Sequence, residues 1–136
     1  MPDFRPATLV PADQRQNFLP ELFGLKRLIV AENFLYALMD QLSPLDYGGG
    51  LWNFYEFDGK PLYLAPTSKP HFRISWEGNG YKGEVSADAA GIIATMFTLS
   101  HLSFRFEDGS FSAVFTRLYE FATDHPEAGE IFQAID

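Results

Sequence analysis

The chain contains no cysteine. Disulfides and thiolate metal sites are therefore excluded outright. It has no apolar run of the roughly 20 residues needed to span a bilayer. Met1 to Thr8 also lacks the apolar stretch of a secretory signal. The expected location is the cytoplasm. Positive charge is scarce: ten Lys and Arg stand against 18 Asp and Glu, giving a net charge of −8. Such a balance disfavours general attraction to phosphate backbones and to anionic membranes. The ten cations are scattered, so neither direct nucleic-acid binding nor membrane binding is expected. Internal repeats and low-complexity linkers are absent as well.

What is present is the material of a core. The 136 residues are 46% hydrophobic and 16% aromatic, which excludes disorder. This length fits one domain, 1–136, able to bury roughly two-thirds of its unfolded surface. Acidity concentrates at the end: residues 107–136 hold seven carboxylates and one cation, Arg117. DNA mimicry fails on magnitude. Ten base pairs present about twenty charges, whereas 18 carboxylates, ten of them offset by cations, cannot copy a long duplex.

Pro11 is placed to open a short helix through Phe18-Leu19, stopped by Pro20. A second helix is expected over Ala31–Leu42, with Phe34, Leu35, Leu38, Met39 and Leu42 on one face and Ser43-Pro44 ending it. Leu51–Phe57 and Pro61–Ala65 flank Asp58-Gly59 and read as a hairpin. Phe72–Glu77 and Tyr81–Val85 flank Gly78-Asn79-Gly80 and read as a second. The four strands suggest an antiparallel meander. Ser86 is a good N-cap for a long helix to about Phe104, apolar except for a stripe of Asp88, Gly91, Thr95, Thr98, His101 and Arg105. Ser110–Asp124 and a short helix opened by Pro126 follow. The expected fold is α+β with order ααββββααα: a four-stranded antiparallel meander packed with about five helices.

The chemistry-bearing residues form no recognisable catalytic set. Gly48-Gly49-Gly50 lacks the Gly-Lys-Ser/Thr of a phosphate loop and leads into a strand, so it reads as a structural turn. Trp52 and Phe54 read as core, with no basic residue interleaved as base stacking would need. Asn53, Tyr55 and Glu56 are less settled, because polar groups within an aromatic strand need partners or a ligand. Ser100 and His101 point about 100° apart on a helix, which works against a hydrogen-bonded dyad. His101 and Arg105 are four apart and neighbours. His71, His101 and His125 lie far apart with no metal-ligand spacing, so no metal or cofactor is expected. His125, before Pro126, belongs to a cap region.

The string Tyr47-Gly48-Gly49-Gly50-Leu51-Trp52-Asn53-Phe54-Tyr55-Glu56 resembles the signature of antirestriction proteins of the ArdB/KlcA family. Leu9-Val10-Pro11 with Gln14-Arg15 and Phe18 through Gly24 is similar to the family's opening. Ala37–Leu42, Leu64-Ala65-Pro66, Ser86–Ile92, Ser100-His101, Arg117-Leu118-Tyr119, His125-Pro126-Glu127 and Ile135-Asp136 extend the likeness in order over nearly the whole chain. The chain departs from the pattern at Thr67–His71, where a cation replaces an acidic stretch, and at Leu102 and Phe104, where His and Cys are expected.

The resemblance implies a cytoplasmic antirestriction protein that protects DNA against type I restriction by engaging protein, not by catalysis. Its partner would be the type I restriction-modification enzyme or a host factor linked to it. Two other classes stay open: a binding module for another host factor, and a small enzyme using Thr98, His101 and Arg105. Candidate partner-binding residues are Tyr47, Asn53, Tyr55, Glu56, His101 and Arg105. Gly49→Val is expected to destabilise the fold, whereas Tyr47→Ala and Glu56→Ala are expected to leave it intact. The acidic tail is read as solubility.

Overall fold

The computed structural model describes residues 4–107 and 109–136, and Met1 to Asp3 and Asp108 lie outside the described residues. In chain order the elements are β1 (Thr8–Leu9), a 3-10 helix (Ala12–Asn17), α1 (Phe18–Phe23), α2 (Leu28–Leu42), β2 (Trp52–Phe57), β3 (Lys60–Pro66), β4 (His71–Trp76), β5 (Tyr81–Ser86), α3 (Ala87–Arg105), α4 (Gly109–Thr123) and α5 (Ala128–Ile135). The class is α+β, as expected.

The four-stranded meander is corrected. The strands form two antiparallel sheets, β1-β2-β3 and β4-β5. Strand β4 does not join β3 because α3 occupies the β3 edge. The Thr95 hydroxyl lies 3.4 Å from both the Leu64 N–H and the Leu64 carbonyl, groups a neighbouring strand would otherwise use. Gly91 permits the approach: a Cβ there would meet the Leu64 carbonyl oxygen at 2.4 Å and the Ala65 Cα at 2.5 Å. The β2-β3 ladder ends where the Thr67 N–H and hydroxyl turn back to the Leu51 carbonyl. Strand β1 pairs Thr8 with Glu56 and Leu9 with Tyr55, and sequence reading missed it because it is only two residues long.

Local chemistry explains the turns. Phe57 pairs with Lys60, leaving Asp58 (φ 52°) and Gly59 (φ 75°) as a two-residue turn with both φ values positive, the type I′ geometry that matches strand twist. The second hairpin pairs Trp76 with Tyr81 across a four-residue loop. There Gly80 takes the positive φ, and Asn79 contributes its side chain. The Asn79 amide donates to the Ala134 carbonyl at 2.8 Å and its oxygen accepts the Tyr81 N–H at 3.0 Å, fastening the loop to the end of α5.

Pro20 does not stop the first helix. It is the third residue of α1, within the first turn, whose N–H groups have no intrahelical partner to lose. Gly24 at φ 79° ends α1 instead. Helix α3 is buried along most of its length and holds the core together, with Ile92, Ile93, Met96 and Leu99 fully enclosed. Its N-cap is Ser86, whose hydroxyl accepts the Ala89 N–H at 3.1 Å. No helix among the described residues is long and apolar enough to cross a membrane.

A polar chain fastens the start of α3 to the α4-α5 turn. The buried Tyr63 hydroxyl donates to Asp88, and the other Asp88 oxygen is 2.8 Å from His125 Nε2. His125 Nδ1 accepts the Glu127 N–H at 2.9 Å, so Nε2 carries the proton and donates to Asp88. The Glu127 carboxylate in turn accepts the N–H and hydroxyl of Ser86. Burial and the adjacent Asp88 push the Tyr63 phenol well above its ordinary range. His125 thus belongs to a cap region, and it also reaches across to a second helix start.

Candidate functional site

The glycine signature is held from both ends. Before it, the Ser43 carbonyl accepts the N–H groups of Asp46 (3.3 Å) and Tyr47 (2.9 Å). The Asp46 side chain, only 11% exposed, takes Arg73 on both oxygens: Nε to Oδ2 and a terminal nitrogen to Oδ1, each at 2.8 Å. The Arg73 N–H adds a third bond at 2.8 Å, and Lys69 approaches at 3.4 Å. These hydrogen bonds, chiefly from the Arg73 guanidinium, hold the Asp46 carboxyl well below the usual carboxylate range. Lys69 lies in the stretch where the family pattern calls for acid, and here it meets an acid from the preceding loop.

After it, Trp52 is buried and its Nε1–H donates to the Tyr47 hydroxyl at 3.0 Å. The turn between takes φ 93° at Gly49 and φ 108° at Gly50. No atom lies within 4 Å of a Cβ at Gly49, so dihedral freedom and not close approach is what that position requires. Shallow grooves border the turn. One of about 450 Å³ is lined by Leu45, Asp46, Tyr47, Gly49, Ser68 and Lys69. Another of about 360 Å³ is lined by Tyr36, Asp40, Tyr47, Gly49 and Trp52.

The candidate residues fall into two groups. Tyr47 is 8% exposed and edge-on to Trp52, which corrects the expectation that Tyr47→Ala leaves the fold intact. Asn53 accepts a long bond, 3.4 Å, from an Arg15 guanidinium that also caps the Trp52 carbonyl. Tyr55 stacks on Tyr63 at 5.0 Å. Glu56 is half-buried beside a register shift in the β2-β3 ladder, and no hydrogen-bond or ion-pair partner among the described residues meets its carboxylate. His101 and Arg105 lie elsewhere, exposed on the last turns of α3, where His101 stacks on Phe34 at 4.1 Å and Arg105 lies over Phe106.

Sequence reading missed several participants. Arg15 lies over the Phe54 ring at 4.7 Å, so a cation does accompany the aromatic strand, supplied from nearly forty residues upstream. Asp46 and Arg73 are 27 residues apart with no local motif linking them. Thr98, one of the three residues of the possible enzyme stripe, is closed off from solvent. Thr98 is fully buried and its hydroxyl donates to the Ala94 carbonyl of its own helix at 2.8 Å. The acidic tail is not only a solvated surface either: Glu127 holds Ser86, and Glu130 accepts the Tyr81 hydroxyl at 3.0 Å. Burial and Glu130 push that phenol up to about 12.

A family model for antirestriction proteins matches residues 45–136. The chain belongs to the antirestriction protein family. The matched span starts at the grooves beside the glycine turn and takes in all six candidate residues. Full-length relatives agree. The chain is 38% identical over 134 residues to antirestriction protein KlcA of Escherichia coli, covering 96% of this chain and 94% of KlcA. It is 34% identical over 134 residues to the uncharacterized protein YafX of Escherichia coli strain K12, covering 95% and 86%. A solved structure matches with a TM-score of 0.82 at 38% identity, covering 100% of this antirestriction protein and 99% of the other chain. The work on that structure describes KlcA and ArdB proteins as having a novel fold and antirestriction activity against type I DNA restriction systems in vivo but not in vitro.

Proposed function

We propose that this antirestriction protein relieves type I DNA restriction inside the cell by binding protein, without catalysing a reaction. The observation that carries the reading is the full-length structural and sequence match to a protein described as active against type I systems in vivo but not in vitro. Activity confined to the cell favours a route through a cellular component missing from a purified reaction. The protein partner is then a host factor linked to restriction, or the restriction enzyme in a state met only in the cell.

The geometry supports binding over chemistry. Thr98 is spent on its own helix and His101 on a ring stack, so the stripe that suggested an enzyme holds no nucleophile paired with a base. The glycine turn, by contrast, is a rigidly anchored surface feature with grooves on both sides. The test is transfer of unmodified plasmid or phage DNA into a cytoplasm containing a type I system, with and without this chain. Recovery of transfer is expected with the chain, and equal restriction in both hosts rejects the function.

A further inference from the structure

The C-terminal half of α3 carries an aromatic and cationic strip at the margin of the core: Phe97, Phe34, Trp76 and Phe106 are partly buried against the core, and Phe104 is left outside it. Phe97, His101 and Arg105 follow one another at four-residue steps, and Phe104 is three from His101, so all four share one face. The strip is extended from both sides. Trp76 packs on Phe97 with ring centroids 5.0 Å apart, and Phe34 of α2 stacks on His101. At the far end Arg27 lies 3.9 Å over the Phe106 ring, with Arg105 over the same ring at 5.0 Å. Phe104 itself is 86% exposed.

Burying a bare phenylalanine ring on a partner removes a large apolar area from water. Flanking arginines give the aromatic-plus-arginine composition that dominates binding energy at protein interfaces. The charges are also distinctive. In a chain of net charge −8, Arg27 and Arg105 converge on the Phe106 ring, with Lys26 next to Arg27 in the chain and Glu107 and Asp108 following Phe106 in the sequence. An anionic partner is repelled by the molecule as a whole and is accepted here.

We infer that the Phe104–Arg105 face of α3 docks an acidic segment of a partner protein, with an apolar side chain against Phe104 and carboxylates paired to Arg105 and Arg27. This rests on the protein-binding reading above and names the partner's chemistry. Single-stranded nucleic acid fits less well, because a strand needs a continuous basic track along its phosphates and the described residues of this face offer a short cluster instead.

The experiment has two arms in cells carrying a type I system. In the first, Phe104→Ala and Arg105→Glu are compared with the parent chain by DNA transfer and by thermal melting. Unchanged melting with protection reduced about thirtyfold or more, the scale of an interface hot spot, is expected. In the second, a benzophenone side chain at position 104 is photo-activated in the living cell and the adduct is mapped by mass spectrometry. Attachment to an acidic segment of another protein is expected. Full protection by both variants overturns the inference. So does the absence of an adduct, or an adduct to nucleic acid, to a second copy, or to a neutral or basic segment. Lack of protection by the parent chain rejects the antirestriction reading instead, and the cross-link then decides the docking alone.

Discussion

Asp46 and Arg73 form a two-pronged ion pair, 2.8 Å on each prong, that fixes the entry to the glycine turn against the start of β4. The pair ties the loop between α2 and β2 to β4, whose sheet shares no strand pairing with β1-β2-β3 among the described residues. Because the Asp46 carboxyl is held below its ordinary value, its stabilising contribution is complete above the unfolded value of about 3.9. It is lost as pH falls through the lower folded value. Asp46→Asn should therefore lower the melting temperature at pH 7, and the difference from the parent should shrink progressively below about pH 4. Melting curves across pH check this. A difference that stays constant into acid would show that the charge of Asp46 is not what matters.

Gly49→Val should destabilise the fold by about 1–3 kcal/mol, the usual cost of forcing a side chain into a sparsely allowed backbone region. The strain comes from φ 93° alone, since the surrounding space is open. Gly49→Ala should cost less, because alanine is not β-branched. Chemical denaturation of both variants measures the ordering.

Gly91→Ala should do more harm than its size suggests. Overpacking ordinarily costs about 1–3 kcal/mol. Here the added methyl meets the backbone of β3, which cannot swing aside, so the loss belongs at the top of that range or beyond it. Urea unfolding quantifies the change. A near-neutral result would mean that α3 does not press on β3 as described.

Tyr47→Phe should cost roughly 1–3 kcal/mol by leaving the Trp52 Nε1–H unpartnered in the core, and Tyr47→Ala more, through the cavity it opens. Glu56→Ala should stay within about 0.5 kcal/mol, since its carboxylate holds no partner among the described residues. Thermal melting beside the transfer assay separates the two roles: reduced protection by a fully folded Glu56→Ala would place the Glu56 end of β2, beside β1, in the partner surface.

Much of the fold is legible in the sequence because its signals are local. The Asp58-Gly59 turn, the Ser86 cap and the buried face of α2 each follow from residues within a few positions. What escapes is set by distant partners. Gly91 and Thr95 read as a polar stripe because, along one helix, a missing Cβ and a hydroxyl look like surface. In three dimensions they are the contact that covers the β3 edge. That contact also explains why the expected meander divides. Pro20 misleads for a related reason, since its effect depends on where the helix starts and not on its being proline. At the site, Tyr47 looks exposed beside three glycines, and only the fold shows its hydroxyl turned onto Trp52.

Relief of type I restriction within the cell is read most directly from the ratio of unmodified to modified DNA transferred into a host with an active type I system. Modified DNA corrects for uptake and expression. Expression of this chain should raise the ratio toward one, while the same host without the chain keeps it low. A ratio unchanged by the chain, with the protein present and folded, would rule out relief of type I restriction as its function.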